Sequence, residues 1–298
     1  MLRKILILIA THNGERHIAE QLKSIINQKK VTIDVLVSDD QSSDKTIDVL
    51  KSYESEINIK FLNRKKSKNI TGSAQNFYDL ISGSDAADYD FIAYSDQDDI
   101  FIDTKYIEMI KLLENTDYIG GSSYVKCFGE YKNILTQSNN ITKYDYLFEG
   151  AGQGNTFVLK KEFFIEFQAF VKENRVEINN FFYHDWLTYL FCRSKGYSWF
   201  FDKNPRTLYR IHQSNITGSK RNLKGITMRL KKLFDGWYYE QVLIANRLAR
   251  IINSDTIDLK NISISRLIYI LLSNGRRKLS DRFLAFIGII FSRITSKI

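Results

Sequence analysis

The segment Tyr94-Ser95-Asp96-Gln97-Asp98-Asp99 places three carboxylates within four residues, directly after the apolar run Phe91-Ile92-Ala93. Reading that run as the end of a buried strand puts the acids where the chain leaves a sheet. Carboxylates this close repel one another and are costly to remove from water, so the cluster serves no packing purpose. A hard divalent cation such as Mg²⁺ or Mn²⁺ reverses the penalty, and such ions sit on one or two carboxylates plus phosphate oxygens. A solvated loop that is merely acidic is the plain alternative. A calcium loop does not fit, because the positions that need Gly and Glu, counted from Asp96, hold Phe101 and Ile107. A second acidic segment, Ser38-Asp39-Asp40-Gln41-Ser42-Ser43-Asp44, follows the apolar run Val35-Leu36-Val37. There Ser43 or Asp44 could simply cap a helix that starts near Lys45. Both clusters would lie where open α/β sheets bind ligands, beyond the carboxyl ends of strands.

Three further segments carry unusual chemistry. Gly150-Ala151-Gly152-Gln153-Gly154 precedes a strand-like run. It lacks the spacing and the following helix of a dinucleotide fingerprint. It reads either as a loop that lets backbone approach a ligand closely or as a flexible hairpin. Tyr183-His184-Asp185-Trp186 opens a helix with a carboxylate flanked by aromatics. Such surroundings can raise a carboxylate pKa into the range of a usable base, while the same Asp185 would also favour the helix N-terminus. Tyr209-Arg210-Ile211-His212 follows Pro205, the one proline of the chain, and reads as a short strand running into a loop.

The elements that must position these residues alternate. Strands are expected at 5–10, 33–38, 57–63 and 91–94, with helices at 15–27, 44–52 and 73–81 between them. In the first helix Ile18, Leu22, Ile25 and Ile26 share one face. This alternation predicts right-handed crossovers and a mostly parallel sheet, an α/β fold. Further strands are expected at 118–128 and 156–159, and helices at 161–170 and 182–194. From about residue 220 the pattern is helical, with Ile226, Leu230, Leu233, Phe234 and Trp237 on one stripe. Leu279, Phe283, Phe286, Ile287, Ile290, Phe291 and Ile294 form another.

Composition bounds the possibilities. The 298 residues are 44% hydrophobic, enough for a sizeable core and an appendage. Cys127 and Cys192 are two and far apart, which argues against a disulfide scaffold and suits a reducing cytosol. The apolar run at 5–10 is too short for a secretory signal, and no uncharged stretch approaches the roughly 20 residues of a spanning helix. The Asn-x-Ser/Thr sequons at Asn69, Asn140, Asn215 and Asn261 are therefore expected to be chance products of composition. Residues 219–298 carry 16 Lys and Arg against 5 Asp and Glu, so the formal net charge of +9 comes wholly from that part. Such asymmetry suggests contact with an anionic surface. The apolar faces of these basic helices suit lipid or core better than nucleic acid, which is not expected as a partner.

Taken in order, the first strand ending in Thr11-His12-Asn13-Gly14, the 38–44 and 95–99 acidic elements, the glycine loop, His184-Asp185 and His212 resemble family 2 glycosyltransferases of the GT-A fold. The resemblance covers about residues 4–218, and its wording is similar to bacterial rhamnosyltransferases of O-antigen or capsular polysaccharide synthesis. It implies a catalytic domain at 1–218 and a basic amphipathic helical extension at 219–298. It implies that Asp40, with Asp39, contacts the donor's base and that Thr11 and Asn13 line the nucleotide pocket, with Gly152 and Arg210 also on the donor. Asp96 would lie against ribose or metal, Asp98 would ligate Mn²⁺ or Mg²⁺, His212 would complete the coordination, and Asp185 would be the general base. His184 stands where the family more often has Glu, which leaves its role open. The implied donor is a dTDP- or UDP-sugar, with dTDP-rhamnose as the best guess. The implied acceptor is a glycan on a polyprenyl diphosphate, met at the inner face of the plasma membrane. Transfer with inversion needs one base and one means of neutralising a departing diphosphate, and the sequence offers one of each. A nucleotidyltransferase would need a glycine- and Arg/Lys-rich loop after the first strand, which His12-Asn13-Gly14-Glu15 does not supply. A non-catalytic carbohydrate- or membrane-binding module would tolerate loss of Asp98 or Asp185, and both are present.

Overall fold

A computed structural model describes residues 2–63, 72–129, 132–211, 227 and 231–295. They form two compact units. One gathers the described residues of 2–137, 152–185 and 197–210, and the other those of 138–151, 186–196 and from 211 onward. The expected boundary at 218/219 lies outside the described residues.

The first unit is built on a nine-stranded mixed sheet. Strand β1 (Arg3–Thr11) runs parallel to β2 (Val31–Asp39) on one side and to β4 (Phe91–Ser95) on the other, and β3 (Asn58–Phe61) extends the parallel part beyond β2. Helices α1 (Ile18–Ile26), α2 (Thr46–Ser52) and α3 (Ser73–Gly83) supply the crossovers. Ile18, Leu22 and Ile25 of α1 are buried against Ile5, Ile7 and Ile9 of β1 and Val35 and Val37 of β2. Each such side chain contributes roughly 1.5–3 kcal/mol by leaving water. Beyond β4 the sheet turns antiparallel through β8 (Val158–Lys160) and β6 (Tyr118–Gly129), with β7 (Ile134–Leu135) on β6. Strand β9 (Ser198–Ile211) follows β6 and pairs antiparallel with β5 (Ile100–Phe101). Helices α5 (Lys161–Glu173) and α6 (Arg175–Ile178) follow β8, and α7 (His184–Ser194) follows them.

Two departures from the sequence reading matter for the site. Helix α4 (Lys105–Leu113) was not expected, although Tyr106, Met109, Ile110 and Leu113 recur at helical spacing and are all buried. The segment around Tyr209 is no short strand but the end of the 14-residue β9. Pro205 lies in β9 outside the stretch paired with β5, where Ile100 faces Leu208 and Phe101 faces Thr207. The helix expected from 182 starts at His184, and Gly154–Thr156 forms a tight 3₁₀ turn before β8 begins.

Register fixes the working edge. Thr11 faces Asp39, and Ile9 faces Ser95, so β1, β2 and β4 release their chains side by side.

The second unit contains helices Trp237–Ile252, Ile264–Ser273 and Leu279–Ile294. Among the described residues no helix is long and apolar enough to cross a membrane. The last helix turns its small side inward: Ala285, Gly288, Ile289 and Ser292 are buried. A Cβ on Gly288 would collide with the Leu233 side chain, so glycine permits that approach. The large apolar stripe expected from the sequence faces outward instead, with Leu279 74% and Phe283 58% exposed.

Much of the C-terminal positive charge is used within the unit. Asp145 is buried and accepts from Tyr189 Oη at 2.7 Å, Arg193 Nη1 at 2.8 Å and Arg277 Nη1 at 3.1 Å. Arg277 also donates to the Gly150 carbonyl at 2.6 Å, and Arg276 pairs with Glu149 at 3.2 Å. Arg293 donates to the carbonyls of Leu259, Lys260 and Ile262, capping backbone that would otherwise lack partners. Asp145→Asn strands two guanidiniums without their shared counter-charge. It is expected to lower unfolding free energy by about 3 kcal/mol or more, read by urea denaturation. A loss below about 1 kcal/mol would show that the network is not needed for stability.

Candidate functional site

The loops that leave β1 and β2 are tied together by side chains. Thr11 Oγ1 donates to Asp39 Oδ1 at 2.7 Å, and Ser42 donates to Asp39 through its amide at 2.8 Å and its hydroxyl at 2.6 Å. The Asn13 amide donates to Ser42 Oγ at 2.8 Å, and Asn13 Oδ1 accepts from the Ser43 amide at 2.8 Å. Asn13 and Gln41 hold φ of 47° and 61°, the left-handed region in which Asn is tolerated. Thr46 Oγ1 accepts from the Gly14 amide at 2.7 Å. Asp44 accepts from the Thr46 amide at 3.0 Å, although the N-cap of the helix is Lys45 rather than Ser43 or Asp44. Thr11 is buried and Asp39 is engaged on both oxygens, so these two shape the rim from within. Asp40 is nearly buried, and its carboxylate accepts from the Gly72 amide at 3.1 Å.

The acidic loop after β4 is pinned at its middle and its end. Gln97 accepts from the His12 amide and donates to the His12 carbonyl, both at 2.9 Å, in the manner of a sheet bridge. A Cβ on Gly14 would collide with the Gln97 side chain, so the first loop needs glycine there. Asp99 is fully buried and accepts from the Arg210 amide at 3.0 Å and from Asn155 Nδ2. Arg210 donates through Nε to the Asp98 carbonyl at 2.8 Å, pairs with Glu20 and lies 4.5 Å over the Phe128 ring. Its guanidinium thus braces the loop from β9.

Asp96 and Asp98 remain partly accessible beside these anchors. Removal from water, then the charge of Asp98, then that of Asp185 push the Asp96 carboxyl up to about 7. Burial also raises Asp99, with Asp98 and Asp96 adding to it. Among the described residues no three His, Cys, Asp or Glu already converge as a metal cage. His212 lies outside the described residues. The donor set nevertheless fits a hard divalent cation, because mutually repelling carboxylates of this kind are what such an ion relieves.

Asp185 sits in the first turn of α7, partly exposed. Its charge reaches Asp96 and the buried Tyr78. The neighbouring His184 answers the question its sequence position left open. Its ring is buried, stacked on Phe77 at 3.7 Å and edge-on to Tyr94 at 5.5 Å. Burial lowers its pKa to about 3, so it is a neutral packing ring and no base at ordinary pH. A Cβ on Gly154 would collide with His184 Nε2 and approach Asp185 Cβ at 3.4 Å. Gly152 holds φ of 119°, and a Cβ there would collide with Gln137. The glycine loop is thus a close fit against its neighbours rather than a flexible hairpin.

The sequence reading missed Lys105 and Asn155. Both are fully buried, and Lys105 Nζ donates to the Asn155 carbonyl while lying 3.3 Å over the Phe101 ring. Burial drives the Lys105 pKa well down, opposed by Asp99 and Asp96. The available signal was a lysine on the face that Met109 and Leu113 make apolar.

The arrangement has relatives. Residues 6–175 match the profile of Glycosyl transferase family 2. The chain is 40% identical over 248 residues to the dTDP-rhamnosyl transferase RfbG of Shigella flexneri, covering 81% of this chain and 84% of that one. It is 25% identical over 248 residues to the UDP-Glc:alpha-D-GlcNAc-diphosphoundecaprenol beta-1,3-glucosyltransferase WfgD of Escherichia coli, covering 82% and 88%. Among solved structures, Staphylococcus aureus TarS 1–349 in complex with UDP-GlcNAc superposes with a TM-score of 0.60 at 14% identity, over 95% of this chain and 73% of that one. The mannosyltransferase PcManGT of Pyrobaculum calidifontis in complex with GDP-Man and Mn²⁺ gives 0.54 at 12% identity, over 100% and 89%. Both likenesses speak to the fold, which is the GT-A fold of nucleotide-sugar transferases. The chain belongs to glycosyl transferase family 2, and it is a glycosyltransferase.

Proposed function

We propose that this glycosyltransferase moves rhamnose from dTDP-rhamnose, with inversion, to a growing surface glycan carried on a polyprenyl diphosphate. The observation that carries the reading is the placement of carboxylates on two separate elements. Asp96 and Asp98 lie on the loop after β4, while Asp185 stands on α7 within electrostatic reach of Asp96. Asp96 and Asp98 would hold Mn²⁺ or Mg²⁺, with His212 as a further ligand. The bound ion would neutralise the charge that develops on a departing nucleoside diphosphate, where a glycosidase would instead need a second carboxyl as acid. Asp185 takes the proton of the acceptor hydroxyl. Thr11, Asn13, Asp39, Asp40 and Gly152 receive the nucleotide, and Arg210 braces the acidic loop.

The donor assignment is supported by the name of the Shigella flexneri relative. The acceptor class is supported by relatives named for undecaprenol-linked substrates, among them the Campylobacter jejuni GalNAc(5)-diNAcBac-PP-undecaprenol beta-1,3-glucosyltransferase, 27% identical over 232 residues. A lipid-borne acceptor makes residence at the inner face of the plasma membrane useful, since enzyme and substrate then share one surface. The outward apolar side of Leu279–Ile294, with Lys278 exposed at its start, suits the interface of such a bilayer.

Purified protein with Mn²⁺, screened against UDP-, dTDP- and GDP-sugars, is expected to hydrolyse dTDP-rhamnose. Asp185→Asn should bind the nucleotide sugar as wild type does in calorimetry while turnover falls about 100- to 10,000-fold. Hydrolysis of a different donor alone would replace the sugar assignment. Normal turnover in Asp185→Asn would place the base elsewhere.

Flotation with liposomes tests the surface. Binding should rise with anionic lipid, by roughly 1 kcal/mol for each Lys or Arg at the surface, and fall with salt. The double substitution Leu279→Gln, Phe283→Gln should weaken it without loss of fold. Flotation equal to wild type would remove this face from the membrane contact.

A further inference from the structure

Beneath the acidic loop lies a buried polar cluster that the reaction as described does not use. Asp99, Lys105 and Asn155 are each fully buried, yet they come from three separate segments: the loop after β4, the first residue of α4, and the 3₁₀ turn that ends the glycine loop. Asn155 faces both side chains. Its side-chain amide donates to Asp99 Oδ2, and its backbone carbonyl accepts from Lys105 Nζ. The other Asp99 oxygen accepts from the Arg210 amide at 3.0 Å, which brings in β9 as a fourth segment. The ammonium of Lys105 packs over Phe101 at 3.3 Å, so the aromatic face of β5 closes the cluster on its apolar side.

A polar cluster in so closed a place is a poor way to gain stability, since apolar residues of similar volume often do as well or better. Its geometry is informative instead. The cluster joins the segment that carries Asp96 and Asp98 to the segment that brings Gly154 against Asp185. We propose that Lys105 is a positioning residue: through Asn155 and Asp99 it sets the distance between the acidic loop and the glycine turn. The two groups of carboxylates thereby keep the spacing that donor and acceptor require. Lys105 touches no reacting atom in this scheme and acts through Asp99 and Asn155. The link to transfer rests on the function proposed above, whereas the link between the two segments does not.

The test uses the full chain and has one readout independent of activity. In wild type the amides of Thr156 and Phe157 donate to Gln153 O at 3.0 Å and Gly154 O at 2.9 Å, and the Arg210 amide donates to Asp99. Hydrogen exchange at these three amides reports the cluster directly, with the amides of β1 as reference. Lys105→Met fills the same volume without the charge. It is expected to speed exchange at Thr156, Phe157 and Arg210 about tenfold or more and leave β1 unchanged. Binding of dTDP with Mn²⁺ should weaken about 10- to 100-fold. Asn155→Ala, which keeps the carbonyl but removes the amide, should reproduce the loss of Arg210 protection should Lys105→Met fail to fold. The double variant Lys105→Met, Asp99→Asn removes both ionisable groups together. It is expected to regain thermal stability but not protection at Thr156 and Phe157. If protection returns along with stability, or if both single variants exchange like wild type, Lys105 serves stability alone and the proposal is overturned. Failure of the function proposed above would appear separately, as wild type that binds and hydrolyses no nucleotide sugar.

Discussion

Asp96, Asp98 and Asp99 repel one another, and the surrounding polypeptide holds them together against that repulsion. Parallel pairing with β1 delivers Ser95 to the sheet edge, Gln97 fastens the loop to His12, and Arg210 and Asn155 satisfy Asp99 from two sides. Asp99 is thereby held as an anchor, although burial and the charges of Asp98 and Asp96 raise its carboxyl. The penalty that remains falls on Asp96 and Asp98, where a divalent cation and a diphosphate would relieve it. The rest of the first unit follows from this need. The β1 and β2 loops are cross-tied through Thr11, Asn13, Asp39 and Ser42 so that the neighbouring rim keeps its shape while the acidic loop is under load.

The second unit obeys a different rule. Several of its arginines face inward, and Asp145 and Glu149 gather Arg193, Arg276 and Arg277 into one network. The charge excess of the C-terminal part is therefore a mixed quantity, part framework and part surface. The last helix shows the same division in apolar residues, because its small side chains pack inward and its phenylalanines and leucines are left outside. A helix meant only to complete a core would be turned the other way.

The parallel half of the fold was legible because it is local. Alternating apolar runs and amphipathic stretches mark β1 to β4 and α1 to α3 within a residue or three of where they lie. The acid clusters also stood out, since charge next to a buried strand has few explanations. What could not be read was anything decided by distant partners. Thr11 and Asn13 suggest ligand contacts, while their bonds to residues about 30 positions away are decided by the fold. The buried state of His184 depends on Phe77 and Tyr94, and its stacking separates it in role from the adjacent Asp185. Lys105 looks like a solvated helix residue until Asn155, 50 positions later, closes over it. Helix α4 differs: its periodicity is present in the sequence, but it follows closely on the acidic loop.

Asp96 and Asp98 are the proposed cation site, and burial together with the charges of Asp98 and Asp185 holds the Asp96 carboxyl raised at rest. Calorimetric titration of the protein with Mn²⁺ in the presence of dTDP tests it most directly. The Asp96 carboxyl, raised to about 7, is largely protonated below that pH and must ionise to receive the ion. Affinity should therefore rise about tenfold between about pH 6 and about pH 8 and level off above, with proton release on binding. Asp98→Ala should abolish the high-affinity phase at every pH. Affinity that is flat with pH and unchanged in Asp98→Ala would contradict the account.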